Sequence, residues 1–200
     1  MNKNYFLEEQ NRLMSDFDKK VKAVEQLNER INKNQAKLDI NYIKTYIEYF
    51  KASNAMVKLN LDSANYYIET ANFILDSLNK SKDKDDAKIL EALINKLIKA
   101  NAKYNNLYEK DLNNLRAVEN ALQEYKASKL SLQPVPFEAL ISVLMIAIEN
   151  GSNLAVEINE MDKGEMVNLF QQILAWTDHR IVKKHFEGII FNDDSLNPND

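Results

Sequence analysis

The chain has 200 residues, 26 Lys+Arg against 30 Asp+Glu, a net charge of −4 and no cysteine. That length suits one domain, or a domain with a subdomain, and lets about two thirds of the unfolded surface be buried without metal or disulfide. The missing cysteine excludes disulfide scaffolds, thiol nucleophiles and Cys-based zinc sites, while charged and hydrophobic fractions of 28% and 45% exclude wholesale disorder.

Residues 1–9 hold no apolar core of the kind a signal peptide needs. The most apolar window, Ala139 to Ile148, falls well short of the ~20 residues of a spanning helix. The expected location is therefore the cytoplasm, with secretion by a route lacking a cleaved signal left open.

Composition changes near Gln133-Pro134. Residues 1–133 contain no Gly or Pro; all three Gly (151, 164, 188) and all three Pro (134, 136, 198) lie beyond. The first stretch carries 22 basic and 19 acidic residues and the second 4 and 11. Regions of opposite mean charge attract within one fold, or the acidic part faces a basic partner. The expected organisation is a long-helix region over 1–133, a compact apolar helical subdomain over 134–191 packed on it, and an acidic mobile tail over 192–200.

The apolar period is helical almost throughout. Phe17, Val24, Ile31 and Leu38 repeat at seven, with Leu13, Val21 and Leu27 between them, which predicts a long helix over about 5–38. A second helix carries Tyr42, Ile43, Tyr46, Ile47, Tyr49 and Phe50 on one face and fades around Asn60 to Asp62. Asp62-Ser63 then caps a third, whose inner face is Tyr67, Ile68, Ala71, Ile74, Leu75 and Leu78. The polar run 79–86 reads as a loop. From Ala87 to about Leu130 the repeat returns as Leu90, Leu97, Tyr104, Asp111, Val118 and Tyr125; this is one long helix, or two with a break where Asn gathers at 101–106. Asp111 in that series is a local conflict that marks a bend, a register-setting polar contact or an edge of the seam.

Beyond Pro134, residues 137–148 are apolar on nearly every face, with Asn150-Gly151 as the predicted stop. Ser152 caps a short helix to about Met161. Gly164 separates this from a last helix carrying Met166, Phe170, Ile173, Leu174, Ile181 and Val182, ended by Gly188, after which Ile189-Ile190-Phe191 docks or extends. No alternating pattern long enough for a sheet occurs. The fold class is all-α, an elongated bundle of about six or seven helices, two of them long with heptad-like seams.

Sites for chemistry are scarce. Neither His179 nor His185 has a Glu three residues before it, as carboxylate-bridged di-iron bundles require, and no His-Glu-x-x-His occurs. Their spacing of six puts them on different sides of a helix. Residues 159–170 mimic a calcium loop around Gly164, but Met161, Lys163 and Phe170 stand where oxygen ligands belong. The three Gly are isolated, so no phosphate-cradling loop forms, and the serines lack a nearby base. Lysines are dispersed among acids with four Arg in all, which disfavours nucleic-acid binding. No catalytic residue, cofactor or metal is expected.

Two features qualify as surfaces. Tyr42, Tyr46, Tyr49 and Phe50 form an aromatic stripe of the kind that anchors protein interfaces, or packs a core. The 137–148 helix, with Phe137, Ile141, Leu144 and Ile148, is a central buried helix or an element released to a membrane. The leading expectation is a non-enzymatic helical protein that binds a protein partner, of adaptor, secretion-accessory, immunity or phage-encoded-inhibitor type, with a homodimer as a further assembly. A membrane-active helical protein comes second, and an enzyme whose site gathers such groups as Tyr104, Asp111 or His185 third.

Overall fold

The computed structural model describes residues 3–80 and 84–160, and every described element is α-helical. There are four: α1 (Lys3–Asn32), α2 (Ile40–Lys80), α3 (Lys84–Ser128) and α4 (Phe137–Glu160).

Their ends have local causes. Helix α1 stops because Asn34 takes φ 54°, a left-handed conformation that Asn tolerates better than most residues. Gln35 N then donates to Arg30 O at 2.7 Å, satisfying a carbonyl the helix leaves open. Helix α2 starts on Asp39, whose Oδ1 accepts from the amides of Asn41 (2.8 Å) and Tyr42 (3.1 Å) as an N-cap. After α3, Ser131 N donates to Ser128 O at 2.8 Å, and Pro134 and Pro136 hold the chain out of helix until Phe137.

Several predicted boundaries need correction. Helix α1 does not reach Leu38, which is exposed in the link to α2. The second and third predicted helices are one, because Leu61 and Ala64 are buried on either side of Asp62-Ser63 and carry the apolar period straight through it. Residues 84–128 are likewise one helix, without a break at 101–106. Helix α4 runs past Gly151 and Ser152 to Glu160. The predicted last helix, Gly164, Gly188, residues 189–191 and the 192–200 tail lie outside the described residues, as do His179 and His185.

The helices divide into two compact units. Among the described residues, one comprises 12–58 and 104–160 and the other 3–11 and 59–103. In the first, consecutive helical stretches run antiparallel: Phe17 meets Tyr49 while Asn28 reaches Tyr46, Lys51 meets Glu119, and Tyr125 meets Phe137 while Asn114 faces Asn150. Its core takes Tyr42, Ile43, Tyr46, Ile47 and Phe50 from α2, Leu115, Val118 and Leu122 from α3, and Leu140, Leu144 and Ala147 from α4. Val24, Leu27 and Ile31 of α1 close it, half-buried. Each fully buried Val or Leu contributes roughly 1.5–3 kcal/mol, and it is this packing that holds Asn-rich helices of modest intrinsic propensity.

The second unit is built on the later half of α2 and the earlier half of α3. Asn101 Nδ2 donates to Asn65 Oδ1 across them at 2.8 Å. Its buried apolar side chains, among the described residues, are Leu61, Ala64, Ala71, Ile74 and Leu78 with Ala87, Leu90, Leu93, Ile94, Leu97 and Ala100.

Candidate functional site

The aromatic stripe is core. Tyr42, Tyr46 and Phe50 are buried and Tyr49 is half-buried. Their rings pack tilted against one another, Tyr42 to Tyr46 at 5.0 Å and Tyr49 to Phe50 at 5.6 Å between centroids, and Tyr49 also meets Phe17 at 5.7 Å. Asn28 Nδ2 donates to the Tyr46 hydroxyl at 2.9 Å. Burial, and then the neighbouring Tyr46 hydroxyl, pushes the Tyr42 phenol well above its ordinary value. Of the two readings of the stripe, a docking face or a packed core, these residues pack in the core, with Tyr49 at its edge.

Helix α4 is one-sided in its packing. Leu140, Leu144, Ala147 and Leu154 are buried, and Phe137, Ile141 and Ile148 flank them half-buried. The opposite face keeps Met145 and Ile146 in solvent, 51% and 60% exposed. Ile146 is therefore not a core position, although the apolar run predicts one. Among the described residues no helix is long and apolar enough to cross a membrane, and no cluster of three or more potential metal-ligating side chains occurs.

The connection from α3 to α4 holds the most exposed large apolar side chains described. Leu130 and Leu132 are 96% and 103% exposed. The turn that displays them is braced: Gln133 N donates to Ser131 Oγ at 3.1 Å, the Ser131 hydroxyl donates to Gln133 O at 3.3 Å, and Leu130 N donates to Ala127 O at 3.3 Å. Lys129 lies over the Tyr125 ring, 5.1 Å from its centroid. The sequence signal for this site is weak, because two leucines after a helical run read as its last turn.

A second polar site sits between α2 and α3. Asp111 is 7% exposed and its carboxyl is pushed up to about 6, chiefly by burial, with the neighbouring Ser53 hydroxyl acting to lower it. The Tyr49 phenol is raised by burial and then by Asp111. Asn54, also buried, donates through Nδ2 to Phe50 O at 2.9 Å, and its Oδ1 has no hydrogen-bond partner. Asn114, one turn on from Asp111, accepts through Oδ1 from Asn150 at 3.5 Å and leaves its buried Nδ2 without one. Of the groups suggested for an enzyme, Asp111 and Tyr104 are buried on α3. The arrangement sets a buried, raised carboxyl beside the Ser53 hydroxyl and the Tyr49 phenol.

Comparison with protein-family models, with curated proteins and with solved structures found no match to the chain.

Proposed function

We propose that the protein is a non-enzymatic helical interaction protein, and that it binds a protein partner through the α3–α4 connection and the outward face of α4. The observation that carries this reading is the exposure of Leu130 and Leu132, 96% and 103%, on a braced turn. Covering one such side chain is worth roughly 1.5–3 kcal/mol, and a turn already fixed by hydrogen bonds and two prolines loses little entropy on docking. Met145 and Ile146 add exposed apolar side chains on α4, about 13 Å along its axis from its first residue. An adaptor, secretion accessory, immunity protein or inhibitor would present such a surface.

The test places a photo-crosslinking residue at Leu132 and, as control, at exposed Ser152, in the source cells. A protein joined from 132 and not from 152 is then titrated against the purified chain. Leu130→Ser/Leu132→Ser should weaken that binding at least about tenfold without altering helicity, since two truncated anchors exceed 1.4 kcal/mol. Equal capture from both positions, or unchanged affinity, overturns the reading.

A membrane-active protein is the second reading, on the ground that Met145 and Ile146 are exposed on the most apolar helix. It requires Leu140, Leu144 and Ala147 to leave the core. Flotation with anionic liposomes that is lost in Ile146→Asp would favour it over a protein partner.

A further inference from the structure

Resting on the protein-partner reading, we propose that the outward face of α4 takes one kind of partner element: a cationic amphipathic helix that covers Met145 and Ile146 and pairs Lys or Arg with Glu138 and Glu149. The phase of α4 puts these groups together. Glu138, Ser142, Met145, Ile146 and Glu149 are all exposed, and 3.6 residues per turn gathers them within an arc of about 100°. Buried Leu140, Leu144 and Ala147 lie on the opposite side. Two large apolar side chains thus sit between two carboxylates that are about 16.5 Å apart along the axis.

This stretch of chain offers those carboxylates no cation of its own. No Lys or Arg occurs from Leu130 to Asp162, although the chain holds 26 of them. Among the described residues no ion pair engages Glu138 or Glu149, whereas Glu29, Glu48 and Glu119 each meet a lysine. Unpaired rim carboxylates steer positive charge to the face, and burial of the apolar pair holds what arrives. A second copy docking α4 on α4 would gather carboxylates at both ends of the apolar pair, in either relative direction, with no cation to separate them. An anionic bilayer would be repelled by the same two charges. The matching helix carries apolar residues at i and i+3 or i+4, with a basic residue about one turn to one side of them and about two turns to the other, as Glu149 and Glu138 stand from Ile146 and Met145.

The experiment titrates the full chain with two synthetic helices of about 20 residues, one with Leu on one face and Lys on the other, the second with Glu in place of Lys. The Lys peptide should bind at least about tenfold more tightly than the Glu peptide at low salt, and the difference should shrink as salt is raised. Glu138→Lys/Glu149→Lys should weaken binding of the Lys peptide at least about tenfold, and Met145→Ser/Ile146→Ser should do the same without altering helicity. Glu91→Lys/Glu109→Lys, which changes net charge equally at exposed positions of α3, should leave it within about twofold. Equal effects of the two charge reversals overturn the proposal, as does binding of both peptides alike. A native dimer dispersed by Met145→Ser/Ile146→Ser, or flotation with anionic vesicles lost in Ile146→Asp, would give the face to a second copy or to lipid and overturn it too. A protein captured from Leu132 whose affinity ignores Glu138→Lys/Glu149→Lys would remove this inference while the protein-partner reading stands.

Discussion

Gly151 of α4 lies directly against Phe50 of α2: a β-carbon at residue 151 would sit 3.6 Å from Phe50 Cε1. That is ordinary van der Waals contact, so the glycine is not there to admit the ring. In mid-helix it costs about 1 kcal/mol relative to alanine. Gly151→Ala should therefore stabilise the protein by about 0.5–1 kcal/mol in urea denaturation. A loss of stability would mean that the contact with Phe50 has no room to give.

That glycine also shows where sequence ceases to determine structure. Asn150-Gly151 is a strong stop signal, and Asp62-Ser63 a sound cap, yet both pairs lie inside helices. In each case buried residues continue on both sides, Leu61 and Ala64 in α2, Ala147 and Leu154 in α4, and packing overrides a preference worth only about 1 kcal/mol. Helical class was legible because apolar period repeats over tens of residues; helix ends turn on single side chains, as at Asn34. Tyr42, Tyr46 and Phe50 announce an apolar face without saying what covers it. Asp111 stands out in sequence as a polar interruption, but its burial depends on the tertiary contact. The exposure of Leu130 and Leu132 depends on where α4 turns away, which no local pattern records.

Neighbouring residues on α4 should behave in opposite ways. Leu144 is fully buried in the core shared by α2, α3 and α4, so Leu144→Ala should cost about 2–5 kcal/mol. Ile146 is 60% exposed, and Ile146→Asp should change stability by about 1 kcal/mol or less. Thermal and urea unfolding of both variants checks the phase of the helix. Comparable large losses at both positions would show that the outward face is covered.

The same contrast applies on α3. Leu97 is fully buried and Ile98 is 44% exposed. Leu97→Ala should cost about 2–5 kcal/mol, and Ile98→Ala about 1 kcal/mol or less. Near-neutrality of Leu97→Ala, read from the urea midpoint at constant slope, would displace the helix phase in this unit.

Asp111 fixes how stability should vary with pH. Its carboxyl is raised from the ordinary 3.8 to about 6 in the folded chain. Between those values the folded protein holds a proton that the unfolded chain has released, so folding takes one up. The contribution is fully present below about 4, falls as pH rises through 6, and is flat above it. Two units correspond to about 3 kcal/mol at the limit, and residual solvent access reduces this to about 1–2 kcal/mol. Asp111→Asn should accordingly match the native protein near pH 4 and exceed its stability by about 1–2 kcal/mol at pH 8. Urea unfolding at the two pH values checks it, against a background of other carboxylates that the variant leaves unchanged. A variant less stable than the native protein at pH 8 would mean that the ionised carboxyl has a partner stronger than Ser53.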